Sequence, residues 1–266
     1  MPQKIHLRAL AAVTLAFSTA IAGKPPGQLP AQSHPVENVV VPIPREIFGS
    51  LDEFSNSNWR AVQRPGVGSW KPHGDQTRIA LQLGVVIAEG FVAVEAEDAA
   101  LVKELGRTVL TLARALGVEK AVLRRSRSIV DYASRNDWVA TRNEWDGVRA
   151  DVRDGMIELQ SEPLAQLVSL GGWLRGTEVL SALLLQSYSP ERAELLRQPG
   201  LLDHFEKQLA AMSKAAVKDP LLTRMREGVG QVRRLTTEEN DRIPKGKIGE
   251  IKGISTRLIG VINGRT

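Results

Sequence analysis

Residues 165–185, AQLVSLGGWLRGTEVLSALLL, decide the fold of this 266-residue chain, because a helix of this sequence would be apolar on nearly every side. Such a helix lies either in lipid or inside a protein. Lipid is disfavoured, since Arg175 and Glu178 stand mid-segment, and an ionised residue at the centre of a bilayer costs about 2.5 to 3.5 kcal/mol. We therefore predict a buried central helix over about 163–188, inside a globular domain.

The helical period continues on both sides of this stretch, as in Leu101, Leu105 and Val109, and no strand alternation of useful length appears. Aromatic residues make up 5% and Leu, Ala and Val are abundant, which suits helices packed on helices. The predicted helices cover 77–96, 97–117, 119–134, 136–160, 163–188, 190–197, 200–215, 219–234 and 237–263. The sequence thus predicts an all-α fold, a compact single-domain helical bundle, whose part after about 240 is loosely attached because Pro244 and several glycines weaken the last helix.

Small residues line one side of the central helix and one side of the helix predicted over 77–96. On the central helix they are Ala165, Ser169, Gly172 and Gly176, and on the other helix they are Ala80, Gly84 and Ala88. A ridge of small side chains lets another backbone approach closely. A glycine inside a helix costs roughly 0.5 to 1 kcal/mol relative to alanine, so these positions need a compensating contact. We therefore expect the two ridges to face each other near the centre of the domain.

Arg175 and Glu178 are three residues apart, so they can pair on one face of the central helix. In one interpretation they form the polar wall of a pocket, with Glu89 as a third member from the facing helix. In the other they are a structural pair that meets further charges, such as Arg78 or Arg114, at the edge of the core. We favour the structural interpretation, because buried charges are most often held by partners within the protein.

Two segments precede the predicted domain. Residues 1–22 have a basic start, an apolar run and a small-x-small end at Ala22, which is typical of a cleaved secretory signal. Residues 23–44 contain six prolines and predict an extended tether. We expect cleavage after about Ala22, export to the periplasm or the extracellular space, no transmembrane span after removal of the signal, and an all-α globular domain over 45–266.

Trp59 and Trp70 lie in a Gly/Pro-rich stretch over 55–75 that predicts an irregular loop. As surface aromatics they would form a binding lid or an aromatic clamp. In the alternative they pin the loop onto the core, which is the commoner role of tryptophans in such loops.

Several chemistries lack the residues that they need. The sequence has no cysteine, so disulfides, thiolate metal sites and attached c-type haem are excluded. Neither His73 nor His204 has a second metal ligand at helical spacing, and no nucleophile elbow, phosphate loop or dinucleotide fingerprint appears. The net charge of +5 falls to +3 without Lys4 and Arg8 of the signal, which is weak support for nucleic-acid binding. We predict no catalytic residue, no metal, no cofactor and no nucleic-acid partner.

These features predict an exported all-α protein of the bacterial envelope with a non-enzymatic binding or interaction role. Its partner, an envelope protein or a small-molecule ligand, is not specified by the sequence. One alternative is an enzyme with a carboxylate and arginine pocket at Glu89, Arg175 and Glu178. Another is an envelope assembly protein that exposes the tryptophan loop or the basic tail over 242–266. A deep cleft at the three charged residues would favour the enzyme, whereas a filled core with paired charges would favour a scaffold.

Overall fold

The predicted central helix is present and lies among seven other long helices. A computed structural model of the protein describes residue 54 and residues 56–215, 219–237 and 242–264, and every regular element within these ranges is helical. The long helices are α1 (Gln76–Glu95), α2 (Ala99–Ala115), α3 (Glu119–Ser134), α4 (Trp138–Glu158), α5 (Glu162–Gln186), α6 (Pro199–Ala215), α7 (Pro220–Thr237) and α8 (Lys245–Ile262). Short 3-10 turns at Trp59–Val62 and Val67–Ser69 precede α1, and a short helix at Pro190–Ala193 follows α5. The all-α prediction is confirmed for these residues.

Helices α1 and α5 contact each other through their backbones. A Cβ atom added at Gly84 would lie 1.9 Å from the carbonyl oxygen of Val168, and one added at Gly171 would lie 2.2 Å from the carbonyl oxygen of Leu81. Neither position has room for a side chain, so glycine is required at both. The two helices therefore touch as expected, with Gly84 of the α1 ridge in the contact, but the tightest contacts on α5 are made at Val168 and Gly171, beside the predicted ridge.

The other helices surround this pair. Helices α2 and α4 pack on α1, α3 packs on α2 and α4, α8 packs on α5, and α7 packs on α6 and α8. The indole of Trp145 on α4 occupies the space that a side chain at Gly90 would fill, and its Nε1 donates to the carbonyl oxygen of Ile87 at 2.8 Å. This contact fixes α4 against α1 and satisfies the polar end of a fully buried tryptophan.

Aspartate side chains begin three of the helices. Asp75, Asp98 and Asp137 each accept a hydrogen bond from the backbone amide three residues further on. An aspartate in this position satisfies one of the free amides of the first turn and faces the positive end of the helix dipole. Among the acidic residues at 95–98, Asp98 therefore marks the start of α2, whereas Glu95 is the last residue of α1.

The expectation that the chain is loosely attached after about 240 is wrong for the residues that the structure describes. Pro244 does not interrupt α8 but stands at its N-cap, where it blocks no helical hydrogen bond. Behind it, one face of α8 is fully buried against α5 and α7, through Ile248, Ile251 and Ile259. Helix α8 is therefore an integral part of the bundle.

By length and composition α1 could cross a membrane, yet 89% of its most apolar window is buried within the protein. Its apolar surface is covered by neighbouring helices. The predicted signal over 1–22, the tether over 23–44 and the first residues of the domain lie outside the described residues.

Candidate functional site: a buried charge cluster and an open groove

Glu89, Arg175 and Glu178 meet in the core between α1 and α5. Arg175 donates from Nε to Glu89 Oε2 at 2.6 Å and from Nη1 to Glu178 Oε2 at 2.7 Å. Arg175 stands one turn of α5 beyond Gly171, where the two backbones touch, so the helices are close enough for a direct contact with Glu89. The three residues that the pocket interpretation grouped do lie together, and their contacts alone do not decide between a pocket and a structural cluster.

The loop before α1 completes this group of charges. The backbone amide of Arg64 donates to Glu89 Oε1 at 2.7 Å, and its Nη1 donates to Glu178 Oε1 at 2.5 Å. In the other direction, Arg175 Nη2 donates to the carbonyl oxygen of Val62 at 2.5 Å. The loop is therefore held onto α1 and α5 by charge-assisted hydrogen bonds, which are the strong ones in proteins.

Helix α8 adds a hydroxyl, and we call Arg64, Glu89, Arg175, Glu178 and Thr256 the charge cluster. Thr256 Oγ1 donates to Glu178 Oε1 at 2.6 Å. All four carboxylate oxygens accept at least one hydrogen bond, and each nitrogen of the Arg175 guanidinium donates one. Two cations balance two anions, and the Glu89 and Arg175 side chains are 0% and 3% exposed. Buried charges are tolerated when they are paired with opposite charges and hydrogen-bonded, and the charge cluster meets both conditions.

Burial raises the pKa of the Glu89 carboxyl above its ordinary value of 4.5. Desolvation of the charged form outweighs the charge of Arg175 and the hydrogen bonds from Arg64 and Arg175, which act in the opposite direction. Perturbed carboxyl groups occur at active sites and also in structural ion networks. Because both oxygens of Glu89 are already bonded within the protein, the geometry favours the structural role, and a role in binding or catalysis stays a prediction.

The sequence did not identify all the partners in the charge cluster. Arg64 lies in a loop without helical period, and Thr256 is an ordinary polar residue on a helix, so neither gives a signal in the pattern. The two arginines considered as partners, Arg78 and Arg114, are elsewhere. Arg78 donates to the last carbonyl groups of α8, and Arg114 pairs with Glu119.

Trp59 and Trp70 are not surface aromatics, so that expectation is wrong. They are 4% and 9% exposed and belong to the apolar core. The physical reason is that the loop from 56 to 75 has few long apolar side chains, and its tryptophans supply the area that holds it against the helices. The alternative, in which they pin the loop, describes the structure.

An open groove of about 630 Å³ lies between α7 and α8. It is lined by Gln231, Arg234 and Leu235 of α7 and by Gly246, Gly249, Glu250, Gly253, Ile254 and Arg257 of α8. Its volume is within the range of ligand and peptide sites, and none of its lining residues belongs to the charge cluster. The glycines of α8 suggested a weak helix in the sequence, whereas in the structure they form one wall of a concave surface.

The histidines of the described chain bond to protein groups. His204 lies 2.9 Å from Gln166 Oε1, and burial lowers the pKa of its imidazole. His73 Nδ1 lies 2.8 Å from Gln82 Nε2. Among the described residues, no group of three His, Asp or Glu side chains is arranged to hold a metal ion.

Comparison of the chain with protein-family models, with curated proteins and with solved structures finds no match.

Proposed function

We propose that this chain is an exported, all-α, non-enzymatic interaction domain that binds its partner in the α7–α8 groove. The observation that carries the proposal is the contrast between two polar regions. The glutamates and Arg175 of the charge cluster are buried and saturated with internal hydrogen bonds, whereas the groove is open and carries charged side chains at its walls. A surface that binds a partner needs polar groups that the partner can reach. The polar groups of the charge cluster already have their partners within the protein.

The sequence supports export. The first 22 residues have the order of regions of a secretory signal, and the proline-rich residues that follow suit an extended leader ahead of the folded domain. In this proposal the groove faces the periplasm or the extracellular medium.

Native mass spectrometry of the protein purified from its own envelope fraction tests this function. We expect a retained partner or ligand that is lost in Arg234→Glu, which reverses a charge in the groove. Arg226→Glu is the matched control, because Arg226 is an exposed arginine of the same helix that does not line the groove. A homogeneous ligand-free monomer, or equal loss of the partner in both variants, would contradict the proposal.

The alternative of an enzyme pocket at Glu89, Arg175 and Glu178 draws on the raised pKa of Glu89. It predicts that Arg175→Met with Glu178→Leu keeps the fold but abolishes a binding or catalytic signal. Our proposal predicts that the mass spectrum of this double variant retains the same partner as the unaltered protein, provided that circular dichroism shows the helical fold.

A further inference from the structure

The outer face of α8 is unlike the exposed face of an ordinary surface helix, because it is built mainly of glycine. At about 100° per residue, six positions share this face: Gly246, Gly249, Glu250, Gly253, Arg257 and Gly260. The opposite face carries the isoleucines that bury α8 against the bundle. Helix α8 therefore has one side fixed in the core and one side on which four of the six positions are glycine.

Nothing in the described chain explains these glycines. A Cβ atom at Gly246, Gly249 or Gly260 would meet no atom within 4 Å, and one at Gly253 would approach only the tip of Arg257, at 3.4 Å. In the core the opposite holds, since Gly84 and Gly171 are closed by a neighbouring backbone. Each glycine inside a helix costs roughly 0.5 to 1 kcal/mol relative to alanine. The outer face of α8 carries this cost without the close contact that offsets it at the centre of the domain.

Two opposite charges stand on this glycine face. Glu250 and Arg257 are seven residues apart, about two turns, and both are exposed. Within the described ranges neither takes part in an ion pair or a side-chain hydrogen bond, in contrast to the paired charges of the cluster. Gly253 lies almost midway between them.

We infer that the glycine face of α8 binds the same face of a second copy of this chain, with the two α8 helices antiparallel about a two-fold axis at Gly253. This inference rests on the proposed function of the groove and specifies its occupant. In this arrangement Glu250 faces the partner's Arg257, and Arg257 faces the partner's Glu250. Gly253 meets the partner's Gly253 on the axis, and Gly246 meets the partner's Gly260 at each end.

The glycine face of α8 is complementary to itself, which favours a second copy of this chain as its partner. A two-fold interface requires that if one residue contacts a second, the second contacts the first in the other subunit. An acid three residues before a central glycine and a base four residues after it come within one residue of meeting this condition, a difference that the length of the arginine side chain can span. Glycines at both ends and at the centre let the backbones approach closely, as small residues do in tightly packed helix pairs. Arg234, across the groove on α7, adds a second wall for the incoming helix.

Charge reversal tests the pairing. Sedimentation equilibrium of the protein expressed from the full chain, from low to high micromolar concentration, should show a monomer–dimer equilibrium. Glu250→Arg alone and Arg257→Glu alone each place like charges opposite each other twice per dimer, so we expect each to raise the dissociation constant about tenfold or more. The double reversal restores both attractive pairs and should return the dissociation constant to within about threefold of the original.

Gly253→Leu tests the close approach. In the monomer the new side chain meets only the flexible tip of Arg257 and replaces a poor helix former, so the variant should fold and melt at or above the temperature of the unaltered protein. In the dimer it would stand on the axis, and we expect the dimer to be lost. Gly200→Leu is the control. A Cβ atom at Gly200 on α6 would also meet no atom within 4 Å, but Gly200 does not lie on the glycine face of α8. It should leave the dimer unchanged.

Three results would overturn the inference. They are a monomer at every concentration, a dimer that survives Gly253→Leu, and a dissociation constant of the doubly reversed variant that is as high as those of the single reversals. The proposed function fails separately. If native mass spectrometry shows a different molecule bound in the groove and sedimentation shows a monomer, only the self-association is wrong. If neither experiment shows a bound molecule, both proposals are wrong.

Discussion

Arg175 holds three parts of the protein with one guanidinium group. It donates to a carboxylate of α1, to a carboxylate of its own helix and to a backbone carbonyl of the loop before α1. The side chain is 3% exposed, so water cannot replace any of these partners without a local opening. The strength of the cluster therefore depends on keeping every charge paired.

Arg175→Met should destabilise the protein by about 3 to 5 kcal/mol, because it leaves Glu89 without a cationic side chain in the core. In Arg175→Met with Glu89→Met, no buried charge is unpaired, since Glu178 keeps Arg64 and Thr256. We therefore expect the double variant to be more stable than Arg175→Met alone in urea unfolding. If the double variant loses as much unfolding free energy as the two single variants lose together, this account of the cluster is contradicted.

Glu89 should also give the protein a specific pH dependence. Its pKa is raised by burial above 4.5 in the folded state, so the folded chain binds this proton more tightly than the unfolded chain. The stability that the group contributes is fully present below its unfolded pKa and is lost as the pH rises through its folded pKa. The free energy of unfolding of the unaltered protein, minus that of Glu89→Gln, should fall as the pH rises above 4.5. Urea titrations at a series of pH values measure this difference, and a difference that stays constant or rises would refute the raised pKa.

At the scale of the elements, α8 is tied to α1 at its C-terminal end. Arg78 Nη1 donates to the carbonyl oxygens of Val261 at 2.5 Å and Ile262 at 3.1 Å. The last carbonyls of a helix have no partner within it, and a cation there also faces the negative end of the helix dipole. Arg78 therefore closes the bundle by capping its last described helix.

Arg78→Met should loosen the end of α8 while leaving the other helices intact. We expect faster amide hydrogen exchange over about 258–264 and unchanged exchange in α3, which Arg78 does not touch, since fraying ends open with low free energy. Arg226→Met, an exposed change on α7, is the control and should leave both regions as they are. Equal protection at the end of α8 in both variants would show that the cap is unimportant.

The elements show how far sequence reasoning reaches. Helix α3 was predicted over 119–134 and is found at Glu119–Ser134, because an apolar stripe and flanking turn residues are local signals. The helix predicted over 136–160 ends earlier, at Glu158, and Leu159 is 51% exposed because the chain turns at Gln160 with φ 53°. The positions of Arg64 and Thr256 in the charge cluster were not predictable, because long-range contacts from a loop leave no period in the sequence.

At the scale of the whole molecule, the bundle is organised by the backbone contact between α1 and α5. Side chains at Gly84 and Gly171 would push the two helices apart. The charge cluster lies one turn of α5 beyond this contact and α8 packs on α5, so both depend on the spacing that the glycines allow. The small-residue ridges could be recognised in the sequence because their spacing is regular. Glycine inside a helix also lowers helix stability, so its presence there indicates a close contact.

Comparison of Gly171→Ala with Gly172→Ala in urea unfolding tests this contact most directly. The two changes are adjacent on α5 and gain the same helix propensity, but the new methyl group meets the Leu81 carbonyl oxygen at 2.2 Å in the first and the Gly84 carbonyl oxygen at 3.6 Å in the second. We predict that Gly171→Ala lowers the free energy of unfolding by about 1 to 3 kcal/mol, and that Gly172→Ala leaves it unchanged or raises it by up to about 1 kcal/mol. Equal stability of the two variants would contradict a fold built on touching backbones.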